Sequence, residues 1–493
     1  MNFVFFFPDE MSASSVSCYG NPTVKMPNYD RLAEEGVRFE NCLVQNPVCS
    51  PSRCSLMTGL YVHNMGHRSL WHLLRTHEPS LFRYLKNAGY DIQWFGKNDL
   101  YSQEYLDEIC GDIEEKRNGY RTRPSRKHGH VHGWTNPYQL EDPKYYSFLF
   151  SPVEDDGEEA ALDEEIARAI DYLNNWKEGD KPFMLFLPII MPHAPYDALE
   201  RFHNMYDPAL LKDHLVQPEE TSGKPSYVEL IRKYRRLDQL EPEFMAKVYA
   251  TYLGMNSYVD FLLGELMNTL DEKRLFKNTT LIASSDHGDW YGNYGLVEKW
   301  PNAMDDMLLR VPLLIKTPGN KAGHVVGEQV ELFDIMPTVL ELAGIKAGHT
   351  HFAQSLVPQL GGEAGDLERY VFAEGGYDNQ DERCFEYQPR GNGLLNEKNI
   401  YYPKVMQQKE YPQSVCRTTM IRSLTNKLVL RTSGENELYD LVKDMKECNN
   451  VYHDKGYSEV RAALEAQMLR WYIRTADTVP LNDDYRSFST RGM

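Results

Sequence analysis

The chain has 493 residues and a formal net charge of −19, which argues against nucleic acid as a main partner because phosphate backbones bind basic surfaces. Apolar residues make up 42% and charged residues 25% of the chain, as in ordinary globular proteins, and its mean hydropathy of −0.56 argues against a membrane protein. The eight cysteines include no Cys-x-x-Cys pair, so neither a zinc ribbon nor a redox motif is predicted.

The apolar run at residues 3–7 has no basic segment before it and no small-residue cleavage site after it. It therefore predicts a buried first strand rather than a signal peptide, and a cytoplasmic protein is the expectation. Further strands are predicted at 91–95, 183–188, 279–284 and 311–316, and helices at 28–36, 80–88, 160–176, 244–270 and 334–343. Strands that alternate with helices predict an α/β fold, with a large, mixed, mostly parallel sheet between helices.

After about residue 350 the pattern changes to short strands at 370–374, 418–423 and 427–431, followed by a helix at 457–475. We therefore expect an α/β domain over 1–355, which would carry the active site, and a smaller C-terminal α+β subdomain of antiparallel sheet plus helix over 356–493. Two charged segments, 114–134 and 217–241, are interpreted as insertions. They either carry specificity, as long loops often do, or are solvated surface excursions.

Side chains that can bind a metal or transfer a proton follow four of the predicted strands, at the end of an α/β sheet where ligands bind. They are Asp9 and Glu10, Lys97 and Asp99, His193, and Asp286 and His287. Two aspartates and an oxygen on residue 49 would form an oxygen-rich site suited to Ca²⁺, Mg²⁺ or Mn²⁺. His287 adds a nitrogen donor, which favours Mn²⁺ or a tolerant Ca²⁺ site.

The most specific motif is Cys49-x-Pro-Ser-Arg53, which continues to Leu56, Thr58 and Gly59. It resembles the signature of the type I, formylglycine-dependent sulfatases of the alkaline phosphatase superfamily, with one extra residue before the threonine. Ordered matches to that family extend the resemblance from about residue 2 to residue 474: 27–39, Gly96-Lys97, Pro192-His193-x-Pro195, Ser285 to Gly288, Lys299, 310–313, 334–338 and 437–441.

The resemblance implies a chemistry for residue 49. A maturation enzyme would convert Cys49 to formylglycine, and one hydroxyl of the hydrated aldehyde would attack sulfur beside one divalent metal. Ca²⁺ is the first expectation for that metal, with Mn²⁺ or Mg²⁺ as alternatives. The implied metal ligands are Asp9, Cys49, Asp286 and His287, together with Glu10, which stands where many sulfatases have a second Asp.

The resemblance also implies roles for the surrounding residues. Arg53 would hold the diol, and Lys97 and Lys299 would bind the sulfate oxygens. Lys299 would also assist the leaving oxygen, or His193 would hydrogen-bond or protonate that bridging oxygen. His63 and His67 either face the pocket, with His67 binding substrate, or have structural roles.

One departure from the family concerns the residue two positions after Lys97, which is often His and is Asp99 here. Asp99 would serve as the base for sulfate release if its pKa is raised. Otherwise the role passes to another group, or Asp99 binds a sugar hydroxyl.

The function implied by the resemblance is hydrolysis of a sulfate ester on a small molecule or oligosaccharide, such as a glycosaminoglycan fragment. Trp134 and Arg126 in the first insertion are typical of sugar-binding loops. Two alternatives stay open: a phosphonate or phosphate monoester hydrolase of the same superfamily, and a non-catalytic protein that binds sulfated glycans. Assembly into a homo-oligomer is compatible with each of these functions.

Overall fold

The computed structural model describes residues 1–110, 136–154, 163–388 and 393–482. The predicted insertion at 114–134, with Arg126 and Trp134, lies outside the described residues. Within the described ranges, no helix is both long enough and apolar enough to cross a bilayer.

A large mixed sheet forms the centre of the fold. Its strands are β1 (Asn2–Phe6), β2 (Val37–Leu43), β3 (Asp91–Trp94), β4 (Phe183–Leu187), β5 (Thr279–Ser284), β6 (Arg310–Val311), β7 (Leu313–Lys316) and β8 (His324–Glu331). They lie in the order β3-β4-β1-β5-β7-β2-β6, with β8 beside β2. β3, β4, β1 and β5 are parallel, whereas β7 is antiparallel to both β5 and β2. The predicted mixed, mostly parallel sheet is therefore confirmed.

The first strand shows why this sheet is buried on both faces. Val4 and Phe6 belong to one apolar core, and Phe3 and Phe5 belong to the other, because successive side chains of a strand point to opposite faces. A run that is apolar at every position is typical of a strand covered by helices on both sides.

Several helices cover the two faces of this sheet. The helices of the described residues are α1 (Pro27–Glu35), α2 (Cys49–Thr58), α3 (Val62–Met65), α4 (Leu81–Asn87), α5 (Gln103–Cys110), α6 (Glu164–Asn175), α7 (Glu200–His203), α8 (Ser226–Tyr234), α9 (Pro242–Glu272), α10 (Asp306–Leu309), α11 (Ile335–Leu342), α12 (Val357–Leu360), α13 (Tyr402–Glu410) and α14 (Ser458–Thr475). The core around Val4 and Phe6 includes α1, α6 and α9, and the opposite core includes α2, α4 and α11.

Two predicted segments differ from the structure. The strand expected at 311–316 is divided at Pro312 into β6 and β7, since proline has no N–H to donate to a neighbouring strand. The segment 217–241 is not wholly a solvated excursion, because it contains α8, whose Tyr227, Val228 and Ile231 are buried.

The C-terminal part forms a second sheet. Its strands are β9 (Val371–Gly375), β10 (Thr418–Arg422), β11 (Asn426–Arg431) and β12 (Glu437–Asp440). They are antiparallel in the order β12-β11-β10-β9, and α14 belongs to the apolar core on this sheet. The predicted α+β character of this region is confirmed, while the boundary at residue 355 stays a prediction. β9 also contacts the segment before α2, because the Glu374 N–H donates to the Gln45 carbonyl (2.9 Å).

Candidate active site

The carboxyl ends of β3, β4, β1 and β5 meet at one edge of the sheet, as expected for adjacent parallel strands. Asp9 follows β1 and Asp286 follows β5, and the two strands pair directly. The N–H of Glu10 donates to Asp286 Oδ1 (3.1 Å), so the two strand ends are tied together. Lys97 and His193 follow β3 and β4 at the same edge.

Cys49 is the first residue of α2, a helix whose ten residues are all buried. One turn further on, the Ser52 hydroxyl donates to the Asp286 carbonyl (2.6 Å), which fixes the helix to the end of β5. The helix ends at Gly59, whose φ of +67° is left-handed and favours glycine. The sequence therefore places residue 49 at a rigid position beside the strand ends.

A compact set of ligand atoms surrounds Cys49. The side chains of Asp9, Cys49, Asp286 and His287 are buried, and their ligand atoms all lie within 4.8 Å of one another. Cys49 Sγ lies 3.1 Å from His287 Nε2 and 3.7 Å from Asp9 Oδ1.

The protonation of His287 suits a ligand. Its Nδ1 lies 2.9 Å from the Gly288 carbonyl oxygen, and because a carbonyl only accepts, Nδ1 carries the hydrogen. Nε2 therefore turns its lone pair toward Cys49. Burial lowers the pKa of His287, so the imidazole is neutral, which is the form that binds metals.

Two cations neutralise the carboxylates. Arg53 donates from Nε to Asp286 Oδ2 (2.9 Å) and from Nη2 to Asp9 Oδ2 (2.6 Å), and Lys97 Nζ lies 2.9 Å from Asp9 Oδ2. Burial alone would raise the pKa of Asp9, but Lys97 and Arg53 outweigh it and hold that pKa well below its usual range. Asp9 is therefore ionised at neutral pH, as a metal ligand must be.

Glu10 lies in a second group with Lys299 and His193. Glu10 Oε2 is 2.8 Å from Lys299 Nζ and 3.3 Å from His193 Nε2. Ligand atoms of Asp9, Glu10 and His193 also lie within 4.8 Å of one another, so Glu10 adjoins the set around Cys49 without belonging to it, and its predicted ligand role stays a prediction.

His193 accepts a hydrogen bond from Lys299. Its Nδ1 lies 2.5 Å from the Ala194 carbonyl, so Nδ1 donates there, and Nε2 receives the Lys299 ammonium at 3.0 Å. In this arrangement Nε2 of His193 has no hydrogen to give, and Lys299 is the donor of the pair.

Asp99 forms an ion pair with Lys97, with Oδ2 2.9 Å from Nζ. Burial would raise the pKa of Asp99, but Lys97 and Arg53 outweigh burial, and the net pKa is lowered. The condition under which Asp99 would act as a base, a raised pKa, is therefore not met. Lys97 Nζ therefore forms ion pairs with both Asp9 and Asp99.

The two histidines after the Cys49 motif have structural partners. His67 Nε2 lies 3.3 Å from Glu78 Oε2. His63 joins β9 to α14, since its Nδ1 lies 2.7 Å from Glu374 Oε2 and its Nε2 lies 2.9 Å from the Thr475 carbonyl. The structural role considered for His63 fits these contacts, and substrate binding by His67 stays a prediction without a contact that supports it.

Sequence reasoning missed Ser52 and Glu298. Ser52 lies inside the Cys49 motif, which is a signal, although a serine near a helix start is common. Glu298 Oε1 lies 3.5 Å from Lys299 Nζ. The sequence gives one signal for Glu298, which is its position next to Lys299. Its burial, which makes the contact important, is visible in the structure alone.

Comparisons with known proteins by sequence and by structure cover most of the chain, and the sequence matches point to one family. A family model described as Sulfatase matches residues 1–345. The chain is 25% identical to a protein of Escherichia coli named uncharacterized sulfatase YidJ, over 99% of this chain and 89% of that protein. It is 25% identical to an N-acetylglucosamine-6-O-sulfatase of Bacteroides thetaiotaomicron, over 94% of this chain and 84% of that protein. The structure of a phosphonate monoester hydrolase of Agrobacterium radiobacter shares the fold, with a TM-score of 0.71 and 20% identity over 98% of this chain and 100% of that one.

Proposed function

Because this chain belongs to the sulfatase family and is a sulfuric ester hydrolase, we propose that it releases sulfate from a sulfated saccharide, with residue 49 delivering the nucleophile. The observation that carries this proposal is the position of Cys49 Sγ between His287 Nε2, at 3.1 Å, and Lys97 Nζ, at 3.7 Å. Charges that are fixed around the reacting atoms before substrate arrives are commonly the largest contribution to catalysis.

Residue 49 acts in its formylglycine form, made by a maturation enzyme. Burial raises the pKa of the Cys49 thiol well above its ordinary value, so the unmodified side chain stays protonated at neutral pH and is a poor nucleophile. A hydrated aldehyde at the same position would place oxygen beside the carboxylates and Lys97. The Cys49-x-Pro-Ser-Arg53 motif supports this conversion.

The residues around position 49 fit one divalent metal. Asp9 and Asp286 offer hard oxygen ligands, and His287 Nε2 offers a lone pair. This set suits Ca²⁺, with Mn²⁺ or Mg²⁺ as alternatives. When bound, the metal would lower the pKa of a hydroxyl ligand and offset the charge of the sulfate group.

The cations of the site have separate tasks. Lys97 and Arg53 neutralise charge on the nucleophile side, next to Asp9. Lys299 is assigned to the leaving oxygen, because in its contact with His193 it is the group that carries the hydrogens. Burial would lower the pKa of Lys299, but the surrounding acidic groups, Glu10 first among them, together outweigh burial and raise the net pKa well above its usual value. Lys299 therefore carries its proton when substrate binds and can donate it to the leaving oxygen, while His193 orients Lys299.

The substrate class is a carbohydrate sulfate of the glycosaminoglycan type. The N-acetylglucosamine-6-O-sulfatase, similar over most of both chains, supports a sugar sulfate. Hydrolysis of a phosphonate or phosphate monoester is the second candidate. It is favoured by Asp99, which stands where sulfatases often have His, and by the fold shared with a phosphonate monoester hydrolase.

Release of inorganic sulfate from defined sulfated mono- and disaccharides tests the proposal, on protein whose residue 49 has been checked by peptide mass. We expect Cys49→Ala to abolish turnover, and Cys54→Ala, a matched change in the same buried helix, to leave it largely unchanged. Near-full sulfate release by Cys49→Ala would reject the assignment. Hydrolysis of aryl phosphonate or phosphate monoesters without sulfate release would support the second candidate.

A further inference from the structure

Lys299 contacts the buried carboxylate of the preceding residue, Glu298. Glu298 Oε1 lies 3.5 Å from Lys299 Nζ and 2.9 Å from Lys404 Nζ, and Glu298 Oε2 lies 3.2 Å from Arg235 Nη2. The four side chains are only 2–3% exposed. In such surroundings charge pairs are strong, and an unmatched charge is strongly destabilising.

The backbone at Glu298 is constrained as well. Its φ of +63° is left-handed, a conformation that side chains other than those of Gly, Asn and Asp adopt rarely. The Glu298 N–H donates to the Tyr196 hydroxyl oxygen (2.9 Å), and its carbonyl accepts from the Trp290 N–H (3.2 Å). Surrounding contacts of this kind maintain strained residues at functional sites. Here these two hydrogen bonds hold the backbone at Glu298, and the side chains of Glu298 and Lys299 lie in the same buried region.

Lys404 comes from a distant part of the sequence. It lies on α13, beyond residue 345, where the match to the family model ends. Lys404 Nζ also lies 3.4 Å from Glu386 Oε1. Glu298 therefore contacts three cations, Arg235, Lys404 and Lys299, which share its negative charge.

We propose that Glu298 is a positioning residue for Lys299 and that Lys404 balances Glu298, so that the C-terminal part of the chain completes the active site. This inference rests on the proposed role of Lys299 at the leaving oxygen. Without the Lys404 cation, Glu298 has excess negative charge and attracts the Lys299 ammonium more strongly. Nζ then moves away from Glu10 and His193, which it contacts at 2.8 and 3.0 Å, and is poorly placed for the leaving oxygen.

Kinetics of variants of the full chain test this inference. Lys404→Met should lower kcat by about 10- to 100-fold, as loss of a partner behind an active-site group typically does. KM should change little, because Lys299 acts on charge that develops in the transition state. Lys404→Arg keeps the charge and should recover most of the lost kcat. Lys409→Met, at an exposed position of the same helix, should match the wild type.

Crystal structures of the wild type and Lys404→Met give a second readout that does not depend on sulfate release. Lys299 Nζ should lie closer to Glu298 than 3.5 Å and farther from Glu10 than 2.8 Å in the variant. A shift in an enzyme that releases no sulfate would support this inference while rejecting the proposed function.

A double variant covers the case in which Lys404→Met does not fold. Glu298→Gln combined with Lys404→Met removes one charge of each sign and should fold. Because it also removes the carboxylate that positions Lys299, kcat should still fall, but Lys299 Nζ should not be drawn toward residue 298. Wild-type kcat in either variant, or an unmoved Lys299 in a folded Lys404→Met protein, would overturn the inference.

Discussion

Replacing Arg53 with methionine tests the charge balance at the centre of the site. Arg53 donates to Asp286 at 2.9 Å and to Asp9 at 2.6 Å, and the three side chains are at most 1% exposed. Methionine leaves two neighbouring carboxylates without this guanidinium. Two hydrogen bonds to charged groups contribute about 1.5–3 kcal/mol each, and removing one partner of a buried ion pair costs about 3–5 kcal/mol. We therefore expect the free energy of unfolding to fall by about 3–5 kcal/mol.

Urea denaturation followed by tryptophan fluorescence, in buffer with a chelator, measures this loss. A divalent cation bound by Asp9 and Asp286 would supply the missing positive charge, so added Ca²⁺ should stabilise Arg53→Met more than it stabilises the wild type. Arg83→Met is the matched control, because Arg83 pairs with Glu108 at the surface (3.4 Å) and its loss should cost less than about 1 kcal/mol. A similarly small loss in Arg53→Met under chelation would refute the reasoning.

Three further predictions concern packing, titration and catalysis. Gly66→Ala, at a φ of +75° with open space around it, should cost about 1–2 kcal/mol. Gly59→Ala should cost more, because its Cβ would also lie 3.0 Å from His351 Cβ and 3.3 Å from Ala353 Cβ, which cannot rotate away; equal thermal shifts would contradict the packing argument. Burial raises the pKa of Asp260 to about 7 from 3.8, so its contribution to stability is present below the lower value and is lost as pH rises through the upper one. The urea midpoint of the wild type should therefore fall relative to that of Asp260→Asn over this range, and parallel profiles would exclude the raised pKa. Lys299→Met in protein with residue 49 converted should lower kcat by about 10²–10³, and an unchanged kcat would exclude Lys299 from the leaving oxygen.

The central part of the fold and of the site could be predicted because both depend on local patterns. The strand predicted at 279–284 is β5, and the helix predicted at 244–270 is α9 to within two residues at each end. Parallel strands bring their carboxyl ends to one edge of a sheet. For that reason Asp9 and Asp286 could be expected to meet from their positions in the sequence alone.

Other parts depend on tertiary contacts that the sequence does not display. The lowered pKa of Asp99 results from two cations placed around it by the fold. β8 was not predicted, because His324–Glu331 contains a glycine and charged residues that weaken a strand pattern. Lys404 has no marker in the sequence, since its importance comes from meeting Glu298 and Glu386 in the interior.

The enclosure of α2 has a consequence for how active protein is made. Cys49 is 2% exposed, and every residue of its helix is buried, so the native protein offers another enzyme no surface from which to oxidise this side chain. Conversion would have to occur on the chain before it folds, and folding would end the opportunity. The converted fraction would then be set by competition between the two processes during synthesis. Incubating the folded protein with the maturation enzyme should therefore not raise the converted fraction.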